Sequence, residues 1–452
     1  MSDSPLLVGS DLAAPIAWRG GTAMSRLQFI ADATALAERL PAVGTMLNLS
    51  TDRYRFAVGL AAALLRGQSS LLPPNHLADT VGRLRARFAD AFALVEAGGD
   101  GHGLPAIEHA EVAASSTGFD RVPTIDGNLV AAYVLTSGST GDPVPHAKSW
   151  CLLVANARAE AKRLASFLGR ADLTGIALVA TVPPQHMYGF ESSVLLAMLG
   201  GAAFDAGRPF FPADIADTLS RLPAPRMLVT TPFHLKALLD AALPLPPLAL
   251  VVCATAPLSP QLAARAEGQL GAPLVEIYGC TEAGQVATRR TTAGPEWRTF
   301  DGLRVDGDGA SVIVSGGHVA EPTPLADVLE VTGEQTFRLL GRANDLVNVA
   351  GKRSSIGHLD FHLNSIDGVV DGTFWMPADH DCAGVVRLVA FVVAPGVSRE
   401  RIVATLRERV DAAFVPRRVF HVDALPREAT GKLTAAALAA LAARTLPPTT
   451  AR

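Results

Sequence analysis

The sequence predicts an α/β protein with a large N-terminal domain, residues 1–341, and a small α+β C-terminal domain, residues 342–452. Short apolar runs alternate with alanine- and leucine-rich stretches, which is typical of strands joined by helices. After about residue 301 the pattern changes to β-rich pieces with glycine-containing turns. The large domain is therefore expected to hold layered α/β subdomains and a β-rich subdomain, and the last segment has the size of one small domain.

The elements can be placed along the chain from this alternation. Strands are predicted at residues 175–182, 226–230, 248–254 and 274–278, with helices at residues 155–168, 215–222, 233–242 and 260–269. Further strands are predicted at residues 303–305, 311–314, 328–331, 386–393 and 418–421, and a last helix at residues 399–414. Strands that alternate with helices form parallel sheets, whose binding sites lie at the carboxyl ends of the strands. Functional residues are therefore expected directly after the strands.

Composition narrows the classes of function. The chain of 452 residues is 49% hydrophobic and 18% charged with a net charge of -4, as in an ordinary globular protein. No basic excess indicates nucleic acid as a partner, and the apolar run at residues 56–65 is too short to span a membrane. No secretory signal pattern is visible, so a cytoplasmic location is expected. Free thiols without metal-ligand spacing are expected at Cys151, Cys253, Cys280 and Cys382.

A run of small polar residues follows the apolar strand predicted at residues 131–135. It consists of Thr136, Ser137, Gly138, Ser139, Thr140 and Gly141. Glycines permit a close backbone approach, and hydroxyls add hydrogen-bond donors for anionic oxygens, so the run can hold phosphate. It does not fit the Walker phosphate loop. Taken alone, a polar turn after a strand explains it equally well.

Other segments with related chemistry lie downstream. Residues 277–282 read Ile-Tyr-Gly-Cys-Thr-Glu and place an aromatic ring, a hydroxyl and a carboxylate at the end of a strand. Such a group can stack on a base, contact a phosphate and hold magnesium. Residues 341–353 and 426–433 add further cations and glycines, including Arg342 and Lys432.

In this order and at this spacing, the segments resemble the core motifs of the adenylate-forming superfamily. That superfamily includes acyl-CoA synthetases, aryl-acid ligases, nonribosomal adenylation domains and luciferases, and the likeness covers residues 48–433. It implies the adenylate-forming fold, in which the small C-terminal domain is mobile. It also implies ATP and Mg²⁺ as cofactors, with a carboxylate converted to an acyl-adenylate and then passed to a thiol. Such chemistry depends on positive charge and donors placed around the phosphates.

The resemblance also implies roles for individual residues. Residues 136–141 would grip the β- and γ-phosphates, Tyr278 would lie against adenine, and Lys432 would bridge the substrate carboxylate and the phosphate. Thr281 would meet the α-phosphate, and Glu282 would be catalytic and hold magnesium. The remaining nucleotide contacts are expected at Ala256, Gly279, Asp327 and Arg342, although the Thr-Gly pair that usually precedes the aspartate is missing at Asp327.

Two positions depart from the family pattern. Where most relatives carry Pro-Lys after the phosphate loop, Pro143 is followed by Val144, and the next cation is Lys148. Either Lys148 takes over the phosphate contact or the loop works without a lysine. The expected hinge of the small domain is Asn344, where relatives often have Asp or Lys; asparagine tolerates unusual backbone angles, so the role can survive.

The acid pocket is expected around residues 183–189, which match the family's Pro-x-x-His-x-x-Gly segment. Its expected lining is His186, which would also act in catalysis, with Tyr188, Gly189, Thr231, Ala254 and Thr255. Small residues suit a flat ring or a short acyl chain. His234 lies where aryl-acid ligases can carry a polar residue, and no charged residue is evident for an α-amino acid.

The predicted function is an ATP-dependent ligase that adenylates a hydroxybenzoate-like aryl acid and loads an acyl carrier protein. Residues 143–146 and 184–189 resemble ligases of aryl-polyene and xanthomonadin-type pathways. No phosphopantetheine-bearing segment is visible, so the thiol would come from a separate molecule. An acyl-CoA synthetase using coenzyme A is the alternative. Val144 and Asn344 also leave open an inactive nucleotide-binding relative, against which the retained Glu282 and Lys432 argue.

Overall fold

A computed structural model describes most of the chain. The described residues are 3–109, 115, 118–137, 143–309, 311–342, 346–349, 352–376, 388–427 and 433–446. They form a mixed α/β protein with several sheets, which confirms the predicted fold class.

The N-terminal region contributes a sheet covered by helices. Its elements are β1 (Ser4–Pro5), β2 (Pro15–Arg19), β3 (Thr22–Ser25), α1 (Arg26–Arg39), β4 (Thr45–Asn48), α2 (Arg53–Leu65), β5 (Ser70–Leu72), α3 (Ala78–Arg87), β6 (Ala91–Val95), β7 (Ala106–Glu108), β8 (Thr124–Ile125), β9 (Val130–Ser137) and β10 (Pro143–Ser149). Within the described residues, six strands pair in the order β10-β9-β5-β4-β6-β7, and only the β9–β10 pair is antiparallel. β9 and β10 thus flank the predicted phosphate loop as a hairpin.

The middle region alternates strands and helices as predicted. It contains α4 (Trp150–Phe167), β11 (Ala177–Ala180), α5 (Met187–Gly189), a π-helical turn (Phe190–Leu195), α6 (Leu196–Gly200), β12 (Ala203–Asp205), α7 (Pro212–Arg221), β13 (Arg226–Thr230), α8 (Pro232–Asp240), β14 (Leu250–Cys253), α9 (Pro260–Leu270) and β15 (Leu274–Cys280). Local chemistry sets the helix limits. Ser259 caps α9 by accepting the amide of Leu262, and Gly271 ends it with a φ of 64°.

The next part of the chain is β-rich, and several of its antiparallel strands extend the large sheet, whereas others form a separate three-stranded sheet. They are β16 (Gly284–Arg289), a 3₁₀ turn (Thr291–Ala293), β17 (Glu296–Thr299), β18 (Leu303–Asp308), β19 (Ser311–Gly316), β20 (Thr323–Leu325), β21 (Asp327–Gly333) and β22 (Thr336–Arg342). Among the described residues, the large sheet has eleven strands in the order β21-β22-β17-β16-β15-β14-β13-β11-β12-β2-β3. Its parallel centre runs from β15 to β2, so the carboxyl ends of β15, β14, β13, β11 and β12 share one edge.

The C-terminal region has hydrophobic cores of its own. Its elements are β23 (Leu346–Val349), β24 (Lys352–Ser355), α10 (Ile356–Asn364), β25 (Asp371–Trp375), β26 (Val389–Val393), α11 (Arg399–Arg409), a 3₁₀ turn (Ala412–Phe414), β27 (Arg418–His421) and α12 (Ala435–Thr445). Two clusters of buried side chains, built from residues after 346, are distinct from the core of the large sheet. This separation is consistent with the expected domain division, whose boundary at residue 342 stays a prediction.

The predicted elements match the structure except at their ends. The strands at residues 226–230 and 418–421 have the predicted limits. The helix expected at residues 399–414 is wrong at its C-terminus, because Val410 is extended and Asp411 caps a separate 3₁₀ turn. The strand expected at residues 175–182 is shorter, because Gly175 has a φ of 81° and the strand begins only at Ala177.

A buried arginine joins the two large sheets close to the predicted acid pocket. Arg53, in the first turn of α2, is 0% exposed. Its guanidinium donates to the carbonyl oxygens of Ala180 and Val182 at 3.0 and 2.9 Å and to Ser193 Oγ at 2.6 Å. Burial lowers the pKa of Arg53 to about 10, so the side chain keeps its charge at neutral pH. These bonds hold the segment between β11 and the π-helical turn in place.

Candidate active site

The carboxyl edge of the large sheet brings together the residues predicted to bind nucleotide and acid. Tyr278 and Gly279 end β15, Ala254 follows β14, Thr231 follows β13, and His186 follows β11. These strands are neighbours in the sheet, so residues separated by almost a hundred positions lie along a single edge. This is where ligands bind in open α/β sheets.

The turn between β15 and β16 carries Thr281 and Glu282. Strand pairing shifts register after Tyr278, and the two strands close around residues 281–283. A side chain at Gly279 would collide with the main chain of Gly284 on the partner strand, so only glycine fits there. The Glu282 side chain is 46% exposed and can reach a ligand above the edge.

Two predicted nucleotide contacts meet through a hydrogen bond. The hydroxyl of Tyr278 donates to Asp327 Oδ2 at 2.7 Å. The ring of Tyr278 packs against Trp297 and Phe337, with centroid distances of 5.7 and 5.6 Å. The main chain of Asp327 is also the strand partner of the main chain of Arg342, across β21 and β22. The predicted adenine, ribose and phosphate contacts of these motifs therefore converge, although they are up to 64 residues apart in the chain.

Strand β10 reaches the same turn from the other sheet. The ammonium group of Lys148 donates to the main-chain oxygen of Glu282 at 2.7 Å. His146 Nε2 lies 3.8 Å from Glu282 Oε1. Val144, at the position where relatives carry lysine, is 44% exposed. His146 was not among the predicted site residues. Residues two apart in a strand lie on the same face, so the spacing between His146 and Lys148 was a sequence signal that could have indicated it.

A buried polar cluster lies beneath the turn. Glu191 is 3% exposed and accepts a hydrogen bond from Asn156 Nδ2. Burial raises the pKa of Glu191 to about 8, while the charge of Lys148 acts in the opposite direction. A side chain at Gly284 would approach Glu191 Oε1 to 3.0 Å, so the cluster touches the start of β16. No sequence motif marks these residues, because they meet only when α4 packs on the π-helical turn.

Glu160 belongs to the same buried cluster, and its titration makes the stability of the folded state depend on pH. Burial raises the pKa of the Glu160 carboxyl to about 7 from 4.5, and neither carboxyl oxygen has a hydrogen-bond partner among the described residues. Between these values the folded state holds a proton that the unfolded chain has released. The resulting stability is fully present below about pH 4.5 and is lost as pH rises to about 7.

We expect Glu160→Gln to remove this pH dependence. The rise in pKa corresponds to at most about 3 kcal/mol, so the variant should gain stability relative to the parent between pH 5 and pH 8 on the order of 1 to 3 kcal/mol. Urea unfolding at both pH values measures the gain. The exposed Glu334→Gln serves as the control, and an equal pH dependence in parent and Glu160→Gln would contradict the assignment.

Where the acid pocket is expected, buried hydrogen bonds of Tyr188 lie beneath the sheet edge. The hydroxyl of Tyr188 lies 3.1 Å from the Thr230 oxygen and 3.0 Å from the Val252 oxygen, across the ends of β13 and β14. Tyr188 is only 7% exposed, so it supports the expected pocket from below. Gly189 has no room for a side chain, because one would collide with the carbonyl of Pro183.

The upper part of the expected pocket contains a strained residue. Thr255, just after β14, has a φ of 81°, which β-branched residues rarely adopt. Thr255 is exposed, whereas Ala254 is buried and Ala256 is half-buried. Backbone strain of this kind concentrates at ligand sites. His186 is half-buried at the start of α5, at the same edge.

Several predicted site residues lie outside the described part of the chain. These are Gly138, Ser139, Thr140, Gly141, Asn344 and Lys432. The backbones of Thr136, Ser137 and Arg342 are described as parts of strands. Arg427 and Leu433 pair across the segment that contains Lys432. The roles proposed for these residues therefore stay predictions.

The described residues fit a nucleotide with magnesium. They contain no cluster of three or more histidine, cysteine or acidic side chains able to hold a metal by themselves. Magnesium needs no such cluster, since it is commonly held by one or two carboxylates together with substrate phosphates and water. Glu282 is a partly exposed carboxylate at the base of the β9–β10 hairpin, which fits that arrangement. Tyr278 and Asp327 offer aromatic and carboxylate contacts for the nucleoside.

A sheet edge that carries these residues, followed by a separate α+β region, is the arrangement of the adenylate-forming enzymes. Comparison with solved structures supports the fold. ATP-bound MatB from Rhodopseudomonas palustris superposes with a TM-score of 0.79 at 18% identity, covering 96% of this chain and 97% of MatB. The o-succinylbenzoate CoA synthetase MenE from Bacillus subtilis, in complex with the acyl-adenylate intermediate OSB-AMP, has a TM-score of 0.77 at 17% identity, covering 96% and 97%.

Sequence comparisons identify the family. Residues 60–321 match the AMP-binding enzyme family, and residues 377–432 match the AMP-binding enzyme C-terminal domain. The chain is 31% identical over 305 residues to a 4-coumarate–CoA ligase of Rhodobacter capsulatus, covering 67% of this chain and 74% of that protein. The chain therefore belongs to the AMP-binding enzyme family and is an AMP-forming acid–thiol ligase. Among the described residues, no helix is long and apolar enough to cross a membrane.

Proposed function

We propose that the protein activates an aromatic carboxylic acid with ATP and transfers the acyl group to a phosphopantetheine thiol. The observation that supports this most directly is the convergence at the sheet edge, where Tyr278 bonds Asp327 and Lys148 contacts the Glu282 turn. The 4-coumarate–CoA ligase relative acts on an aromatic acid by its name. Small residues at the expected pocket, including Gly189 and Ala254, suit a flat ring.

In the first step, a carboxylate oxygen of the acid attacks the α-phosphorus of ATP, and pyrophosphate leaves. Tyr278 and Asp327 would orient the nucleoside, while the phosphate loop and Thr281 would donate hydrogen bonds to the phosphates. Glu282 would hold Mg²⁺, which supplies positive charge to the phosphate oxygens. Lys432 would neutralise the approaching carboxylate and phosphate. These groups act by orientation and electrostatic stabilisation, as phosphoryl chemistry requires.

In the second step, the acceptor thiolate attacks the acyl carbonyl carbon, and AMP leaves with its phosphate oxygen. His186 would close the pocket over the adenylate. We propose an acyl carrier protein as the thiol partner, on the likeness of residues 143–146 and 184–189 to carrier-loading ligases. Coenzyme A carries the same phosphopantetheine arm and is the second candidate, favoured by the name of the 4-coumarate–CoA ligase relative.

Pyrophosphate release with ATP, magnesium and a panel of acids tests the proposal. The panel would contain 3- and 4-hydroxybenzoate, benzoate, cinnamates and short and medium fatty acids. We expect the strongest release with one aryl acid, followed by thioester formation when coenzyme A or a holo carrier protein is added. An apo carrier protein, which lacks the thiol, is the matched control. ATP binding without release for any acid would instead favour an inactive relative.

Lys148 allows a further prediction about the altered phosphate loop. Because its ammonium group bonds the main chain of Glu282, we expect Lys148→Met to reduce pyrophosphate release about tenfold, the effect of losing one charged hydrogen bond. The cause would be a displaced turn. Calorimetry should accordingly show weaker ATP binding with magnesium and little change when EDTA is present.

The double variant Val144→Lys with Lys148→Met separates two explanations. It restores a lysine where relatives have one, and Val144 is exposed enough to accept it. We expect no rescue, since a lysine at 144 would not replace the bond to Glu282. Recovery of activity would mean that Lys148 serves the phosphates directly. Val144→Lys alone is the control for disturbance of the hairpin.

A further inference from the structure

His234 is a buried histidine at the acid side of the sheet edge. It lies in the first turn of α8 and is only 2% exposed. Its ring packs edge-on against Phe210 and Phe233, with centroid distances of 4.9 and 5.4 Å. Within the described part of the chain, its Nε2 is buried and has no hydrogen-bond partner. An unpaired buried polar group costs stability unless a ligand pairs with it.

The contacts of Thr231 favour one tautomer of the His234 ring. Thr231 Oγ1 accepts the main-chain amide of His234 at 3.4 Å and lies 2.8 Å from His234 Nδ1. We assign the proton of the hydroxyl to the bond with Nδ1, which places the hydrogen of the neutral ring on Nε2. Burial, with a smaller effect of Arg208, lowers the pKa of His234 to about 4, so the ring is neutral at physiological pH.

His234 lies where the ring of an aromatic acid would end, on the side opposite its carboxylate. α8 starts directly after β13, and β14 separates β13 from β15, which carries the predicted adenylate contacts. Neighbouring strands are about 4.8 Å apart, so β13 lies roughly 10 Å from β15 along the edge. An acid whose carboxylate meets the phosphates at β15 would extend its ring toward His234 over Tyr188, which lies across the ends of β13 and β14.

We propose that His234 donates a hydrogen bond from Nε2 to an oxygen substituent on the ring of the aromatic acid. This inference rests on the proposed function and names the class of acid: hydroxylated or alkoxylated aryl acids, in preference to unsubstituted or methylated ones. A ring amine would fit poorly, because it presents N–H groups to an N–H donor. Arg208, which is exposed and close enough to influence His234, disfavours a cationic substituent further.

A purely structural role for His234 is the competing explanation. The chain offers a matched control in His109, which is 7% exposed and also has a buried Nε2 without a partner among the described residues. Burial lowers the pKa of His109 to about 4 as well. His109 follows β7, which is the outer strand of the six-stranded sheet on the side opposite β10. A structural effect of removing a buried histidine should appear at both positions.

The experiment measures binding and turnover with two pairs of acids. The pairs are 3-hydroxybenzoate with 3-methylbenzoate and 4-hydroxybenzoate with 4-methylbenzoate, since a methyl group has the size of a hydroxyl without its oxygen. Calorimetry gives the Kd of each acid in the presence of a non-hydrolysable ATP analogue, and pyrophosphate release gives kcat/KM. The variants are His234→Leu, His234→Gln, which keeps an N–H donor, and His109→Leu.

We expect the parent to prefer a hydroxybenzoate over its methyl counterpart, and His234→Leu to reduce this preference about tenfold, the contribution of one hydrogen bond. His234→Gln should retain most of the preference, and His109→Leu should retain all of it. The inference is overturned if the parent does not prefer the hydroxybenzoate over its methyl counterpart, or if His234→Leu keeps the full preference, even when pyrophosphate is released. A His234-dependent binding preference without any turnover supports the inference and refutes the ligase activity.

Discussion

Lys432→Ala is expected to abolish adenylation while leaving thioester formation largely intact. The lysine is predicted to neutralise the carboxylate and phosphate as they approach each other, and loss of one such charged group typically costs about 10² to 10³ in rate. The second half-reaction starts from a finished adenylate and has no such need. Pyrophosphate release with the preferred acid should therefore fall by that factor, whereas transfer from a supplied acyl-adenylate to the thiol should stay within about threefold of the parent.

The described residues on either side of the segment that contains Lys432 are paired with each other and with β25. Arg427 forms a bidentate ion pair with Asp371, at 2.7 and 2.8 Å. Its main chain also forms a β-bridge with Leu433, on the other side of the segment. Lys162→Ala, an exposed lysine paired with Asp301, is the control for removing a positive charge from the surface. Equal loss of both half-reactions in Lys432→Ala would refute the assigned role.

Glu282→Gln is expected to have the second largest effect, on the use of magnesium. The change keeps the shape of the side chain but removes the charge that would hold the ion, and metal stabilisation of phosphate charge is worth several kcal/mol. We expect pyrophosphate release to fall about a hundredfold. The half-saturating magnesium concentration should rise in parallel.

Binding measurements make the test independent of turnover. ATP should bind Glu282→Gln as well as the parent in EDTA, and magnesium should no longer strengthen that binding. Glu296→Gln, an exposed glutamate on β17 of the same sheet, is the matched control. Weaker ATP binding in EDTA would mean that the Glu282 side chain organises the turn itself, through its contact with His146, and does not act by holding the ion.

Much of the fold and part of the site follow from local sequence patterns. Periodicity located β13 and β27 to the residue, because each is a short apolar run bounded by turn residues. It failed at the end of α11, where the capping of a single turn by Asp411 decides the backbone and periodicity gives no signal. The motifs around Tyr278 and Asp327 indicated nucleotide contacts, and the structure joins the two by one hydrogen bond.

The sequence by itself determined the α/β class, the order of the motifs and the types of chemistry that they carry. Those properties depend on residues adjacent in the chain, whose side chains and turns act locally. Tertiary structure decided that Lys148 contacts the Glu282 turn, that Glu160 and Glu191 lie buried beneath it, and that the buried Nε2 of His234 has no partner among the described residues. Burial and pairing depend on which distant segments meet, and only the packed sheets and helices bring those segments together.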